Sequence, residues 1–279
     1  MINLTDNKEE KYLYKYLPFN QYTLQILINY QLWLGSPDFL NDPFEGDFVI
    51  NNFKQFYNEE NIELIIDTLI TGSYRNLTKS GFRQGIIEDE SKFLSSLYEY
   101  LSISIKNNFG TTSFSKNCKS LKMWSHYADS HKGIVLIFNK DVLNSSIEKS
   151  RNRQPFLRTK RDIQLINVEY GSLTTVDLVK TNGVLKIIDD SNILSKKLKL
   201  WKNEEEVRII EREEDWNNNQ RYFHLAPNCI DGVIFGQRIS SINRNTITTL
   251  LPPLECDIVY YQAQKSTKRN NIIFKRMTK

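Results

Sequence analysis

Three stretches of this chain hold residues whose types and spacing could do chemistry. The run Gly110–Ser115 is strand-like and rich in hydroxyl groups, and the aromatic stretch Leu121–Ala128 follows it closely. Much later, Glu204, Glu205 and Glu206 come just before an apolar segment. Hydroxyls, flat aromatic rings and a carboxylate are the groups needed to hold a nicotinamide nucleotide and to stabilise a ribosyl cation. Each stretch alone is unspecific, and their ordered combination suggests this chemistry.

The hydroxyl-bearing stretch is predicted to be a strand over 110–115. Side chains alternate between the two faces of a strand, so Thr111, Ser113 and Ser115 would share one face. Three hydroxyls on one face are common at an exposed sheet edge. They could equally line the wall of a sugar-binding site, and the sequence leaves both interpretations open.

The aromatic stretch is predicted to be a helix over 120–131, ended by Gly133. A Trp at helical spacing, such as Trp124, is usually a core residue. Tyr127 and His126 have polar ends that must reach a partner or water. Such an aromatic face beside a hydroxyl-bearing strand would suit a stacked heterocycle.

The acidic stretch supplies a pair of carboxylates at the start of a predicted strand. Glu204 and Glu206 are two residues apart and would share one face. Neighbouring carboxylates repel, so one of them should hold its proton more tightly unless Lys202 or Arg208 lies between them. This pair could be an acid, a base or a cation stabiliser, or it could be a solvated charge cluster.

Other kinds of site find no support in the sequence. The chain has no GxGxxG motif after a predicted strand and no phosphate-binding loop. No metal site is predicted, because His126 and His131 stand five residues apart and the remaining His and Cys residues are scattered. No activating partner for Cys118 is apparent.

Positive charge is concentrated in two segments of the chain. Residues 149–161 and 264–279 each contain six basic residues and no acidic residue, and without these twelve positive charges the formal net charge of +4 becomes −8. Such asymmetry would suit contact with a nucleic acid, and a solvated loop with a basic C-terminal tail explains it as well.

The sequence also suggests a compartment. An odd number of cysteines, 3, with no CxxC pair favours a reducing environment over a disulfide framework. The polar amino terminus shows no signal peptide, and no apolar run approaches the ~20 residues of a membrane span. We therefore expect a cytoplasmic protein without membrane contact.

The order of predicted elements indicates one mixed α+β domain over residues 1–279, with a helical insertion at 53–108 and a basic tail at 264–279. The predicted strands lie at 11–16, 31–34, 110–115, 134–138, 163–170, 207–211, 232–236, 257–262 and 272–274, and helices are predicted at 22–30, 120–131 and 182–200.

Several motifs together resemble the domain-of-unknown-function 2971 family. The resemblance covers about 13–240, and its most specific parts are the runs Asn41–Glu45 and Trp124–Ala128. The other matching parts are Leu13–Tyr16, Leu32–Leu34, His131–Gly133 and Trp201 with Glu204, Glu206 and Arg208.

The order of these blocks in turn resembles the ADP-ribosyltransferase superfamily. The resemblance implies a mixed, largely antiparallel split sheet of that type, with NAD as substrate and no metal. The superfamily has a polar residue on a first strand that grips the NAD nucleotide, and the resemblance assigns this role to Lys15. It assigns the Ser/Thr positions of the second block to Ser113 and Ser115. In the third block, Glu206 would be the catalytic carboxylate and Glu204 the acceptor-side acid. The nicotinamide would be held among Tyr16, Trp124, His126 and Tyr127, and Tyr127 would also act in catalysis.

These inferences lead to an expected function and to rivals. We expect an NAD-dependent ADP-ribosyltransferase-like enzyme that modifies a nucleic acid or a protein. Its expected biological role is that of a toxin or an antiphage defence effector, and a cognate inhibitor is an expected class of partner. NAD hydrolysis is the same chemistry with water as acceptor. The rival from another class is a non-catalytic module that binds a nucleotide or nucleic acid, and a metal-independent nuclease is a weaker third interpretation.

Overall fold

The computed structural model describes residues 11–71, 79–152, 162–188, 190–213, 221–251, 258–267 and 271–277. Contacts divide the chain into two compact units. Unit 1 comprises Met1–Gly35, Gly110–Val168 and Leu200–Lys279, and unit 2 comprises Ser36–Phe109 and Glu169–Lys199. The helical insertion predicted at 53–108 therefore lies in unit 2, which a second chain segment completes.

The secondary structure elements are numbered in chain order. The strands are β1 Tyr12–Leu17, β2 Gln31–Trp33, β3 Phe48–Ile50, β4 Phe109–Ser115, β5 Ile134–Asn139, β6 Asp162–Asn167, β7 Glu169–Gly171, β8 Thr174–Val176, β9 Leu178–Thr181, β10 Val184–Ile187, β11 Lys196–Leu198, β12 Glu206–Arg212, β13 Tyr222–His224, β14 Ile230–Phe235, β15 Val259–Lys265 and β16 Ile272–Arg276. The α-helices are α1 Gln21–Asn29, α2 Glu59–Thr71, α3 Lys79–Ile87, α4 Glu90–Asn108, α5 Leu121–His126, α6 Lys140–Asn152 and α7 Ser241–Leu250.

Unit 1 is built on an eight-stranded sheet with the order β16-β15-β14-β5-β1-β4-β12-β6. The central strand β1 pairs antiparallel with both β4 and β5. Strands β14 and β15 run parallel, and α7 lies between them in the chain. The prediction of a mixed α+β fold with a largely antiparallel sheet is thus confirmed.

The two faces of this sheet are buried by different helices. Leu13 and Leu17 of β1 pack in one core cluster with apolar residues of α1, α6 and α7, and we call this side the first face. Tyr12, Tyr14 and Tyr16 alternate with them and pack in a second cluster with residues of α5, on the second face. The short helix α5 is thus the element that sets the geometry of the second face.

Local signals in the sequence explain the helix α5 and its neighbour strand. Ser120 is the N-cap of α5 and accepts a hydrogen bond from the Met123 backbone N–H at 3.4 Å. Strand β5 is a continuous apolar run in which all residues before Asn139 are buried, as expected for a central strand covered on both faces.

Unit 2 contains α2, α3 and α4 together with three two-stranded pairings, β3–β8, β7–β11 and β9–β10. The turn Asn41–Glu45 is fixed within this unit. The Glu45 carboxylate lies 3.6 Å from the Lys197 ammonium, and their side chains are only 1% and 2% exposed. This buried ion pair indicates that the turn is a structural connection.

Two predicted helices differ from the structure. The helix predicted at 182–200 is wrong: β9 and β10 form a hairpin there, and 3-10 turns at Asp190–Ser195 and Lys199–Glu204 flank β11. The helix predicted at 120–131 ends at His126. The predicted C-terminal tail contains β16, which is an edge strand of the sheet.

Candidate functional site

Trp124 is the packing centre of α5. Its side chain is fully buried, and its indole Nε1–H donates to the Cys118 carbonyl at 2.9 Å. Its ring stacks with His131, with ring centroids 6.0 Å apart, and meets Tyr16 edge-on at 5.4 Å. Trp124, predicted to contact the nicotinamide, is therefore placed in the core, where no face of its ring is open to a ligand.

A left-handed turn after α5 holds this packing in place. Asp129, Ser130 and His131 have φ values of 45°, 52° and 70°. The turn lies so close to the sheet that a Cβ on Gly133 would stand 2.1 Å from the Leu17 carbonyl oxygen. Burial, and then the charge of Arg238, lowers the pKa of His131, so its stacked ring is neutral near pH 7.

Beside α5 on the second face lies a cleft of about 180 Å³. Its lining combines aromatic rings, a cation and a carboxylate, supplied by Lys122, Met123, His126, Tyr127, Leu200, Trp201, Asn203 and Glu204. Two of the predicted aromatic contacts, His126 and Tyr127, and one predicted acid, Glu204, are thus brought together.

The carboxylate in the cleft is held by a short hydrogen bond. The Tyr127 hydroxyl donates to Glu204 Oε1 at 2.6 Å, although the two residues are 77 positions apart in the chain. Glu204 itself is 8% exposed. A carboxylate that is mostly buried, hydrogen-bonded and bordered by rings is suited to oppose positive charge on a bound ligand.

Glu206 has a different environment from Glu204. Its side chain is 5% exposed and its two oxygens accept hydrogen bonds from Arg208, which is fully buried, at 2.7 and 2.9 Å. Such a two-point contact neutralises the carboxylate and fixes it. The structure therefore places Glu204 on the cleft and Glu206 in a buried ion pair.

Between the two carboxylates the backbone adopts a left-handed conformation at Glu205, whose φ is 45°. Glu204 ends a 3-10 turn and Glu206 begins β12, so the two do not belong to one regular strand as predicted. The same turn explains Trp201, because side chains three residues apart lie above one another in a 3-10 helix. Trp201 and Glu204 therefore reach the same cleft.

Tyr16 and Ser115 lie behind the cleft and support its backbone. The Ser115 hydroxyl donates to the Glu204 carbonyl at 2.6 Å, and the Tyr16 hydroxyl donates to the Asn117 carbonyl at 2.7 Å. Burial raises the pKa of Tyr16 well above its ordinary value. Both were predicted to contact the cofactor, and the structure gives them hydrogen bonds to protein backbone instead.

Lys15 lies on the first face of the sheet, away from α5. Its ammonium donates to the Thr112 hydroxyl at 2.7 Å and to the Ser113 carbonyl at 2.9 Å, and it stands 5.1 Å from the centroid of the Phe114 ring. Burial lowers its pKa to about 8, and the charge of Glu206 opposes this shift. Neither Lys15 nor Ser113 lines the cleft.

Sequence reasoning did not assign five of the lining residues to the site: Lys122, Met123, Leu200, Trp201 and Asn203. A usable signal was the spacing of Trp201 and Glu204, which becomes meaningful once the segment is known to be a 3-10 turn. Lys122 is the lysine among the residues that line the cleft.

The described parts of the two basic segments lie near different edges of the sheet. Lys149 and Arg151 end α6, and Arg151 Nε donates to the carbonyl of Ile163 in the edge strand β6. Lys275 and Arg276 belong to the opposite edge strand β16. Seven strand spacings separate these edges, roughly 34 Å along the sheet. Residues 153–161, 268–270 and 278–279 of these segments lie outside the described residues.

Other chemistries find little in the described part of the chain. No group of three or more His, Cys, Asp or Glu side chains that could hold a metal ion occurs there. The thiols of Cys118 and Cys229 are buried, which raises the pKa of each to about 12. Within the same ranges, no helix combines the length and the apolar character needed to cross a bilayer.

Fold and site together define an α+β protein with a carboxylate-bearing aromatic cleft on one face of a largely antiparallel sheet. A family model described as "Protein of unknown function (DUF2971)" matches residues 123–209 and supports this family for that segment. The matched segment includes every cleft-lining residue except Lys122. No curated protein and no solved structure matches the chain.

Proposed function

We propose that the cleft binds the nicotinamide end of NAD and that the protein is an ADP-ribosyltransferase-like enzyme acting on a nucleic acid or a protein. The observation that supports this most is the Glu204 carboxylate, held by Tyr127 at 2.6 Å in the wall of an aromatic cleft. A carboxylate so placed would face a ribose whose base is leaving.

The size of the cleft suits one end of a dinucleotide. At about 180 Å³ it is smaller than the roughly 300–1,000 Å³ of pockets that enclose a whole drug-sized ligand. One heterocyclic ring would enter between Tyr127 and Trp201, and the rest of the dinucleotide would lie outside. Lys122, which is exposed and lines the cleft, would then meet the phosphates.

The proposed reaction breaks the bond between ribose C1′ and the nicotinamide nitrogen. Nicotinamide leaves as a neutral molecule with the electron pair of that bond, and the ribose becomes an oxocarbenium-like cation. Glu204 stabilises this charge, an effect of several kcal/mol in preorganised sites. An oxygen or nitrogen of the acceptor then bonds to C1′, and its proton passes to Glu204. With water as acceptor, the same steps give NAD hydrolysis.

The placement of the three sequence blocks is in keeping with this proposal. The blocks that resemble the ADP-ribosyltransferase superfamily lie on β1, β4 and β12, which are neighbours in the sheet. In the proposed site, however, Glu204 takes the role that the resemblance gives to Glu206, because Arg208 occupies the Glu206 carboxylate.

The test is incubation of the purified protein with NAD, alone and with RNA, DNA or a protein mixture, with nicotinamide and labelled acceptor measured by mass spectrometry. We expect nicotinamide release that falls about 10²–10³-fold in Glu204→Gln, as for loss of a preorganised electrostatic group. Glu169→Gln, at an exposed carboxylate in unit 2, is the matched control and should keep full activity. Full turnover by Glu204→Gln would overturn the assignment.

One observation favours a second candidate, a module that binds a nucleotide without turning it over. Since Arg208 holds Glu206, a single carboxylate remains on the cleft, and one carboxylate with one cation suffices for recognition. This candidate predicts that NAD raises the melting temperature of the protein while no nicotinamide appears. Nicotinamide release that depends on Glu204 would exclude it.

A further inference from the structure

The orientation of the cleft carboxylate depends on one unusual backbone position. Glu205 has a φ of 45°, a left-handed conformation that is uncommon for a residue with a Cβ. In a regular strand Glu204 and Glu206 would point to the same side. Glu205 is left-handed, and the two carboxylates beside it have different partners: Glu204 accepts from Tyr127, and Glu206 accepts from Arg208.

The two residues that follow β4 hold Glu205 by both its backbone and its side chain. The Lys116 N–H donates to the Glu205 carbonyl at 2.9 Å, and Asn117 Nδ2 donates to Glu205 Oε1 at 2.8 Å. Glu205 is exposed, so this side-chain contact is made at the surface and serves no core packing.

Asn117 is itself held by hydrogen bonds to its backbone groups. Its carbonyl accepts from the Tyr16 hydroxyl at 2.7 Å, and its backbone N–H donates to the Ser115 hydroxyl oxygen at 3.1 Å. Ser115 in turn donates to the Glu204 carbonyl at 2.6 Å. A connected set of hydrogen bonds thus runs from β1 and β4 to the carbonyls of Glu204 and Glu205.

We propose that Glu205 and Asn117 are positioning residues for the Glu204 carboxylate: the left-handed Glu205, held by Asn117, turns one carboxylate of the Glu-x-Glu segment into the cleft and leaves the other to Arg208. The catalytic consequence rests on the proposed function of the cleft, whereas the geometric part stands independently of it. Residues of this kind act through Glu204 and touch no substrate.

Two substitutions at Glu205 separate the backbone from the side chain. Glu205→Gly and Glu205→Val both remove the carboxylate, but only glycine adopts a positive φ without steric cost, whereas a β-branched residue there is an outlier. Asn117→Ala keeps the Glu205 side chain and removes its donor. Asn182→Val is the matched control, because Asn182 also has a positive φ, 51°, and lies in the β9–β10 turn of unit 2.

The geometric readout is the NMR chemical shift of the Tyr127 ring carbon that bears the hydroxyl, assigned with Tyr127→Phe. Glu204→Ala supplies the shift of a Tyr127 without its acceptor. We expect Glu205→Gly and Asn182→Val to keep the wild-type shift, Glu205→Val to move to the Glu204→Ala value, and Asn117→Ala to move part of the way. A wild-type shift in Glu205→Val would overturn the proposal.

The kinetic readout distinguishes failure of the positioning proposal from failure of the proposed enzymatic function. We expect kcat for nicotinamide release to fall roughly tenfold or more in Glu205→Val with KM little changed, as when a transition-state interaction is lost, and Glu205→Gly to restore it. Equal loss of kcat in the glycine and valine variants would contradict the role of the left-handed backbone. If the wild-type protein releases no nicotinamide, the proposed function fails, and the Tyr127 shift still decides the positioning role.

Discussion

Replacing Arg208 with Met should destabilise the fold strongly, because it removes the guanidinium that donates to both oxygens of the buried Glu206 carboxylate. Arg208 is fully buried, Glu206 is 5% exposed, and two hydrogen bonds of 2.7 and 2.9 Å join them. Removing one partner of such a pair costs about 3–5 kcal/mol, since the remaining charge loses its compensation. That loss is a large part of the 5–15 kcal/mol that typically stabilises a folded protein.

The assay is urea unfolding of Arg208→Met, Glu206→Gln and the double variant Glu206→Leu with Arg208→Met. We expect the double variant to recover most of the stability lost in Arg208→Met, because two apolar side chains then replace both charges of the pair. An exposed ion pair contributes less than about 1 kcal/mol. A loss of stability in that range for Arg208→Met would refute the view that Glu206 belongs to a buried ion pair that stabilises the fold.

Three further predictions concern the fold and the aromatic residues. Gly133→Ala should lower the melting temperature, because its Cβ would stand 2.1 Å from the backbone oxygen of Leu17, and overpacking of this kind costs roughly 1–3 kcal/mol or more. Lys15, with its pKa lowered to about 8, binds fewer protons when folded, so stability should rise with pH from about 8 toward its ordinary pKa near 10.5, and Lys15→Met should lose that rise in denaturation curves measured across this range. Trp124→Ala should cost about 3–5 kcal/mol in urea unfolding, as for a buried Trp, whereas Trp201→Ala should weaken NAD binding in calorimetry with a smaller loss of stability.

The sequence was informative where apolar periodicity decides the structure. The strand predicted at 134–138 is the central strand β5, and the helical insertion predicted at 53–108 contains α2, α3 and α4. These elements have faces packed in the core, so the spacing of their apolar residues predicts the element type. The pairing of distant strands such as β4 and β12 could not be predicted from local sequence patterns.

The false helix at 182–200 had a local signal against it. Asn182 and Gly183, with φ values of 51° and 77°, form the turn of the β9–β10 hairpin. An Asn-Gly pair between alternating residues is a strong hairpin signal because both positions adopt positive φ readily. The amphipathic spacing that followed was a weaker indication than this pair.

The separation of the two carboxylates could not be predicted from residue types. Glu204 and Glu206 were expected on one face, and that expectation assumes a regular strand through Glu205. The residue type of Glu205 gives no indication of a φ of 45°. In the structure its N–H donates to the Lys202 carbonyl at 3.3 Å at the end of a 3-10 turn, and Lys116 and Asn117, about 90 positions earlier in the chain, donate to it as well. Which of the two acids faces the cleft is therefore visible only in the folded structure.

The most direct test of the central claim is a crystal structure of the Glu204→Gln variant with NAD, in which slow turnover should preserve the dinucleotide. We expect the nicotinamide ring between Tyr127 and Trp201, the ribose beside residue 204 and the phosphates near Lys122. Binding of NAD elsewhere on the protein, with this cleft left empty, would contradict the account.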